Sequence, residues 1–312
     1  MIRQRKRFRA LTLAAGLVIV LPYAGIVGWL KSSESELVFR AAMSRSRADP
    51  GEARPSFMRE VQISLPSGES LNGFALEAAP ARSRGRWILH LHGNADTAFS
   101  AGQVRHAIAL REQGFDVLAF DYRGFGRSAG MPSEANVQED AEAAFQWLID
   151  QGVPAGRIIL WGHSLGSGPA VELAARHPVA GLVTFGAFTS VPDRGAELYP
   201  WLPVRWIATI QFDNRRRIAD VRVPVVLVHA TTDGTIPVAH AEALFAVANQ
   251  PKRLLKLQAI SADGFGGHYS AAYEQLDRVV ATMGEVMAFE GAVAGVVRAE
   301  AGLAEGGAGA RR

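Results

Sequence analysis

Residues Arg157–Gly168 read RIILWGHSLGSG, and they constrain this chain more than any other stretch. An apolar run, Arg157–Trp161, leads into Gly162-His163-Ser164-Leu165-Gly166. A serine with glycines two positions to either side fits a sharp strand-to-helix turn. Side chains at those flanking positions would strike the incoming strand or the outgoing helix. Pro169–Arg176 follows as a small-residue helix, and a helix start aims its amide donors back toward the serine. A chance match to five residues is easy in a chain with 32 glycines. The strand before and the helix after carry the reading, and Ser164 is the candidate nucleophile.

The chain has 312 residues, enough for one large domain or two small ones, and 48% hydrophobic residues allow a sizeable core. It has no cysteine. Disulfides, a thiolate nucleophile and a cysteine-bound metal are therefore excluded. The net charge is +3, but Arg3, Arg5, Lys6, Arg7 and Arg9 cluster before position 10. The rest of the chain is slightly acidic, with no basic stripe interleaved with aromatics, so no nucleic-acid partner is expected. Ala10–Leu30 carries no charge, and as a helix it would rise about 31 Å, roughly a bilayer core. Basic residues precede it, and Trp29 and Lys31 end it. This pattern predicts a single-pass membrane anchor with the N-terminus in the cytoplasm and the folded body outside, periplasmic in a bacterium. A cleaved secretory signal and a buried helix are the alternatives.

Residues 1–33 thus read as basic N-terminus and anchor. Residues 34–56 are a polar spacer, 57–292 the folded domain, and 293–312 a Gly/Ala-rich tail. Phe57–Leu65 and Leu71–Glu77 flank a Ser67-Gly68 turn and predict an antiparallel edge hairpin. Further strands are expected at Arg86–Leu91, Phe115–Phe120, Gly181–Phe185, Val223–Ala230 and Leu254–Ile260. Helices are expected near Gln103–Glu112, after Pro132, and over Asp277–Phe289. Strands alternating with helices imply a mostly parallel sheet flanked by helices. Residues 189–218 break this rhythm with Tyr199, Trp201, Trp206, Ile207 and Phe212 among three prolines. They read as a short lid whose apolar residues wall an acyl pocket.

The chain resembles the α/β-hydrolase superfamily. Five motifs carry the resemblance: His90-Leu91-His92-Gly93-Asn94-Ala95, Asp121–Ser128, Gly162–Gly166, Asp233-Gly234-Thr235-Ile236-Pro237 and Gly267-His268. Within the superfamily it looks like the membrane-anchored, small-lid group similar to the Bem46 protein and the palmitoyl-protein depalmitoylases. The resemblance covers about Phe57 to Phe289. It implies the α/β-hydrolase fold, a triad acid at Asp233, and an oxyanion-hole donor in the Asn94 amide. His92 would brace that loop, and Asp121–Ser128 would be structural. In that last loop Arg123 and Phe125 interrupt any dinucleotide fingerprint, so no cofactor is expected. No metal motif is present either.

The chemistry asks for the same residues. Ser164 needs a base, and the base needs an acid to fix its tautomer. Of the histidines after the serine, His177 ends the elbow helix, His229 lies inside a strand and His240 starts a helix. His268 follows a strand in a glycine-rich loop and is the preferred base. Asp263, in the same loop, rivals Asp233 as the acid. The Leu165 amide, just after the nucleophile, is the other oxyanion donor. The expected activity is serine-dependent hydrolysis of ester or thioester bonds in acyl or lipid-like substrates through an acyl-enzyme. A serine peptidase for small peptides, with Asp96 as its weak anchor for a charged terminus, is one alternative. A non-catalytic, membrane-tethered binding module is the other.

Overall fold

The computed structural model describes residues 18, 20–39, 55–94, 96–260 and 264–288. Strands β1 (Met58–Ser64) and β2 (Ser70–Leu76) form the expected antiparallel hairpin, and Gly68 supplies the positive φ of 89° that its turn requires. Strands β3 (Trp87–Leu91), β4 (Asp116–Phe120), β5 (Ile158–His163), β6 (Gly181–Phe185), β7 (Val225–Ala230) and β8 (Lys252–Leu257) complete one sheet. Its order is β1-β2-β4-β3-β5-β6-β7-β8. β2 meets β4 antiparallel, and every later pair is parallel. The chain leaves β3 toward one edge and β5 toward the other. The crevice at their carboxyl ends is where ligands bind in open α/β sheets.

The helices are α1 (Glu34–Val38), α2 (Ala101–Glu112), α3 (Glu134–Asp150), α4 (Ser167–Arg176), α5 (Val191–Leu198), α6 (Ala239–Val247) and α7 (Leu276–Met287), with shorter turns between them. Ser100, Ser133 and Ser190 cap α2, α3 and α5, each hydroxyl accepting from an amide three residues on. Alternate strand residues bury on opposite faces. Leu89, Leu118, Leu160 and Leu227 pack with α3 residues Val137, Ala141 and Phe145 and with Leu244 of α6. Ile88, Val117, Trp161 and Val226 pack with Ala107 and Leu110 of α2 and with Val279 and Met283 of α7. Continuous burial along β5, β6 and β7 follows from being covered on both faces. The last strand lies earlier than expected. β8 is a half-exposed edge strand carrying Lys252, Arg253 and Lys256, so its apolar signal is diluted, and Ile260 lies beyond it, 73% exposed.

The membrane anchor expected at Ala10–Leu30 is corrected. Among the described residues no helix is long and apolar enough to cross a membrane. The described part of the expected span is helical, and this helix runs on to residue 32. It ends in a turn at Ser33, and α1 then packs on the folded body. The expected single-pass topology, the extracytoplasmic placement and the membrane as a partner lose their basis with it. Residues 1–17 and 19, residues 40–54 of the spacer, Asp263 and the 293–312 tail lie outside the described residues.

Candidate active site

Ser164 leaves β5 with φ 49°, in the left-handed region that a non-glycine residue rarely adopts. The surrounding glycines make this turn possible. A Cβ at Gly162 would lie 2.6 Å from the Gly166 carbonyl oxygen and 2.7 Å from Ala170 Cβ. A Cβ at Gly166 would collide with the backbone carbonyl of Leu91. The Gly-x-Ser-x-Gly spacing is thus demanded by close backbone approach. Gly166→Ala is expected to cost at least about 2 kcal/mol of stability, because rigid backbone of β3 must move. A thermal melt checks it, and an unchanged Tm would mean that the β3–β5 packing yields freely.

His268 and Asp233 arrive from separate loops. His268 Nδ1–H donates to Asp233 Oδ2 at 2.7 Å, with both side chains buried. The other carboxylate oxygen, Oδ1, accepts from the amides of Thr235 and Ile236, each at 2.8 Å. His229 Nε2 lies 3.4 Å from Asp233 Oδ2 and donates to the Ile236 carbonyl at 2.8 Å. Burial alone would raise the Asp233 pKa. The adjacent His229 ring, the hydrogen bond and charge of His268 and the Ile236 amide outweigh it and hold the carboxyl well below the usual range. Asp233 is therefore an ionised, immobile acceptor. With Nδ1 engaged, His268 keeps Nε2 for a serine proton. Among the described residues Ser164 Oγ makes no hydrogen bond to His268. Such contacts often close only in the substrate complex.

Two neighbours of this pair were not singled out by sequence. His163 Nε2–H donates to the His268 backbone carbonyl at 2.9 Å. Burial, then the nearby His268, pushes the His163 pKa down to about 3, so the ring is neutral and adds no charge beside the base. Gly186, with φ 61°, lets β6 pass the imidazole, since a Cβ there would sit 2.9 Å from His268 Cε1. The other histidines after the serine are engaged elsewhere. His177 pairs with Glu142 at 2.9 Å. His240 Nδ1 accepts from the Thr189 amide at 3.1 Å, and its Nε2 reaches Glu197 on α5 at 3.1 Å.

Asn94 and Leu165, the two expected oxyanion donors, line one cavity with Ser164. The Asn94 side chain is otherwise employed, since its Nδ2 donates to the Val38 carbonyl at 2.6 Å. The loop after β3 is anchored from beneath by Asp121, which accepts from the Ala98 amide at 2.6 Å and the Arg127 amide at 3.2 Å. Arg123 turns its Nε and its amide onto Asp140 of α3, at 2.6 and 2.7 Å, so the glycine-rich loop after β4 is tied to that helix. Asp96, the anchor a peptidase would need, accepts from Ser100 and Gln103 at 2.5 and 2.7 Å. The cavity holds about 350 Å³, at the lower end for small-molecule sites, and is mainly apolar. Tyr199 and Ile207 of the 189–218 insertion line it. Trp201 and Trp206 face outward, and Phe212 is buried against Phe39. The aromatic count therefore overstated that wall.

The α/β-hydrolase fold matches residues 86–220, which hold β3 through the insertion and the elbow. An uncharacterized protein of Mycobacterium tuberculosis is 35% identical over 252 residues, spanning 80% of this chain and 86% of that one. The chain belongs to the α/β-hydrolase family. Lysophosphatidylserine lipase ABHD12 of Danio rerio is 32% identical over 185 residues, but this chain spans only 48% of its length. Among solved structures, the esterase domain of a Rhodothermus marinus protein aligns with a TM-score of 0.54 at 24% identity, over 72% of this chain and 97% of that one. The Pyrococcus furiosus esterase Pf2001 aligns at 0.60 and 18% identity, over 76% and 96%. These structural likenesses establish the fold. The narrower likeness to membrane-anchored Bem46-like proteins and depalmitoylases is corrected to the family level. The matches support α/β-hydrolase membership, and no described helix supplies the anchor that defined that group.

Proposed function

We infer that this α/β-hydrolase is a serine hydrolase that cleaves ester or thioester bonds through a covalent acyl-enzyme. The observation that carries the reading is Ser164 on a strained elbow, opening into an apolar cavity beside a buried His268–Asp233 pair. Ser164 Oγ attacks the acyl carbonyl while His268 Nε2 takes its proton. Asp233 holds Nδ1–H and steadies the imidazolium that forms. The Leu165 and Asn94 amides carry the developing oxyanion. His268 then protonates the departing alkoxide or thiolate. Water, deprotonated by the same imidazole, releases the acid and restores Ser164. The insertion at 189–218 acts as the lid. The apolar cavity and the lysophosphatidylserine lipase relative together favour an acyl ester of a lipid-like substrate.

Labelling with a fluorophosphonate tests the chemistry. The full chain is expected to gain one adduct, mapped to the peptide containing Ser164. It should also hydrolyse p-nitrophenyl acetate, and labelling should abolish that activity. An adduct on another serine, or hydrolysis that survives complete labelling, would overturn the assignment.

A further inference from the structure

Residues 30–39 precede the first strand, yet they reach the reaction centre. Leu30, Leu37 and Val38 line the same cavity as Ser164, together with Leu198, Leu202 and Ile207 of the insertion. Three ties hold this segment in place. Phe39 is fully buried in the core, its ring edge-on to Phe212 at 6.4 Å. Asn94, in the oxyanion loop, donates through Nδ2 to the Val38 carbonyl at 2.6 Å. The Glu34 carboxylate accepts from the amides of Thr209 and Ile210, at 2.8 and 3.0 Å, and from the Thr209 hydroxyl. The Glu34 tie reaches the insertion, the Asn94 tie reaches the loop beside the nucleophile, and the Phe39 tie reaches the core. A segment that only led into the domain would need none of them.

We propose that Leu30–Phe39 is a wall of the acyl-binding pocket and sets the length of acyl chain that the enzyme accepts. This rests on the serine-hydrolase reading above. Leu37 is the residue to vary. It lines the cavity but remains 41% exposed, so changing its size alters the pocket more than the core. One methylene gained or lost in an apolar pocket changes specificity by about tenfold or more. The wall therefore has ample leverage on selectivity.

The experiment uses the full chain and p-nitrophenyl esters from acetyl to dodecanoyl, with one leaving group throughout. The readout is the ratio of kcat/KM for each longer ester to that for acetate. In Leu37→Trp the octanoyl-to-acetyl ratio is expected to fall at least tenfold. In Leu37→Ala the preferred chain should lengthen by two or more carbons. Ile207→Trp, on the insertion side of the same cavity, should act like Leu37→Trp. If both Leu37 variants keep the wild-type ratios while Ile207→Trp shifts them, the insertion alone forms the wall and the proposal is overturned. The Leu37→Ala profile decides the matter if the tryptophan variant does not fold. Fluorophosphonate labelling in parallel separates the two readings. Labelled variants with unmoved ratios refute only the wall, whereas a wild-type chain that does not label at Ser164 refutes the hydrolase assignment.

Discussion

Replacing Ser164 with alanine is expected to reduce kcat on an activated ester by about 10⁶, the size of loss seen when a serine protease loses its nucleophile. The substitution removes one oxygen and keeps Cβ, so the elbow can persist. Gly162 and Gly166 still permit the close approach of β3, β5 and α4, and Ser167 Oγ still donates to the residue 164 carbonyl at 2.6 Å. KM should change little, because the apolar cavity remains. A residual rate above the uncatalysed one is expected, since oxyanion donors and substrate positioning act without the serine. Stopped assays on wild type and variant, with circular dichroism to verify folding, give the comparison. A drop of less than tenfold would mean that another group carries out the attack.

The fold was legible because several kinds of signal agreed. Doubly covered strands such as Ile158–His163 read as continuous apolar runs, turn glycines punctuated them, and the Pro132-Ser133-Glu134 run marked a helix start. The elbow was legible for a steric reason, which the close approaches at Gly162 and Gly166 display. What escaped lay in contacts distant along the chain. Nothing in a lone histidine at position 163 announces a bond to a carbonyl at 268, and nothing in Gly186 announces the imidazole it must clear. The N-terminal misreading has a similar origin. An apolar, uncharged run satisfies the membrane pattern by composition alone. The ties of Tyr23 to the Trp201 carbonyl and of Glu34 to Thr209 are tertiary and leave no local trace. The aromatic residues of 189–218 misled in the same way, since composition does not say which side of a short insertion faces the cavity.

Asp233→Asn is expected to keep the fold and lower kcat by about 10⁴, the loss known for the comparable change in a serine protease. The hydrogen bonds explain why so small a change costs so much. The Thr235 and Ile236 amides both donate to one side-chain oxygen, so an asparagine carbonyl would take that position. Its amide nitrogen would then face His268 where Oδ2 now accepts. An N–H facing Nδ1 forces the imidazole to accept there and to carry its proton on Nε2. That nitrogen must be bare to take the serine proton, so the variant holds the base in the wrong tautomer. The carboxylate also leaves a mark on stability. Its pKa is depressed in the folded state, so ionised Asp233 stabilises the protein fully above the unfolded carboxyl pKa of about 3.9, and this contribution is lost as pH falls through the folded value. The asparagine variant should lack that acid-side loss, giving a flatter dependence of Tm on pH below about 4. Activity and melting profiles of Asp233→Asn and Asp263→Asn, measured on one ester, decide between the two carboxylates. A crippled Asp263→Asn beside a nearly normal Asp233→Asn would move the acid of the triad to the histidine's own loop.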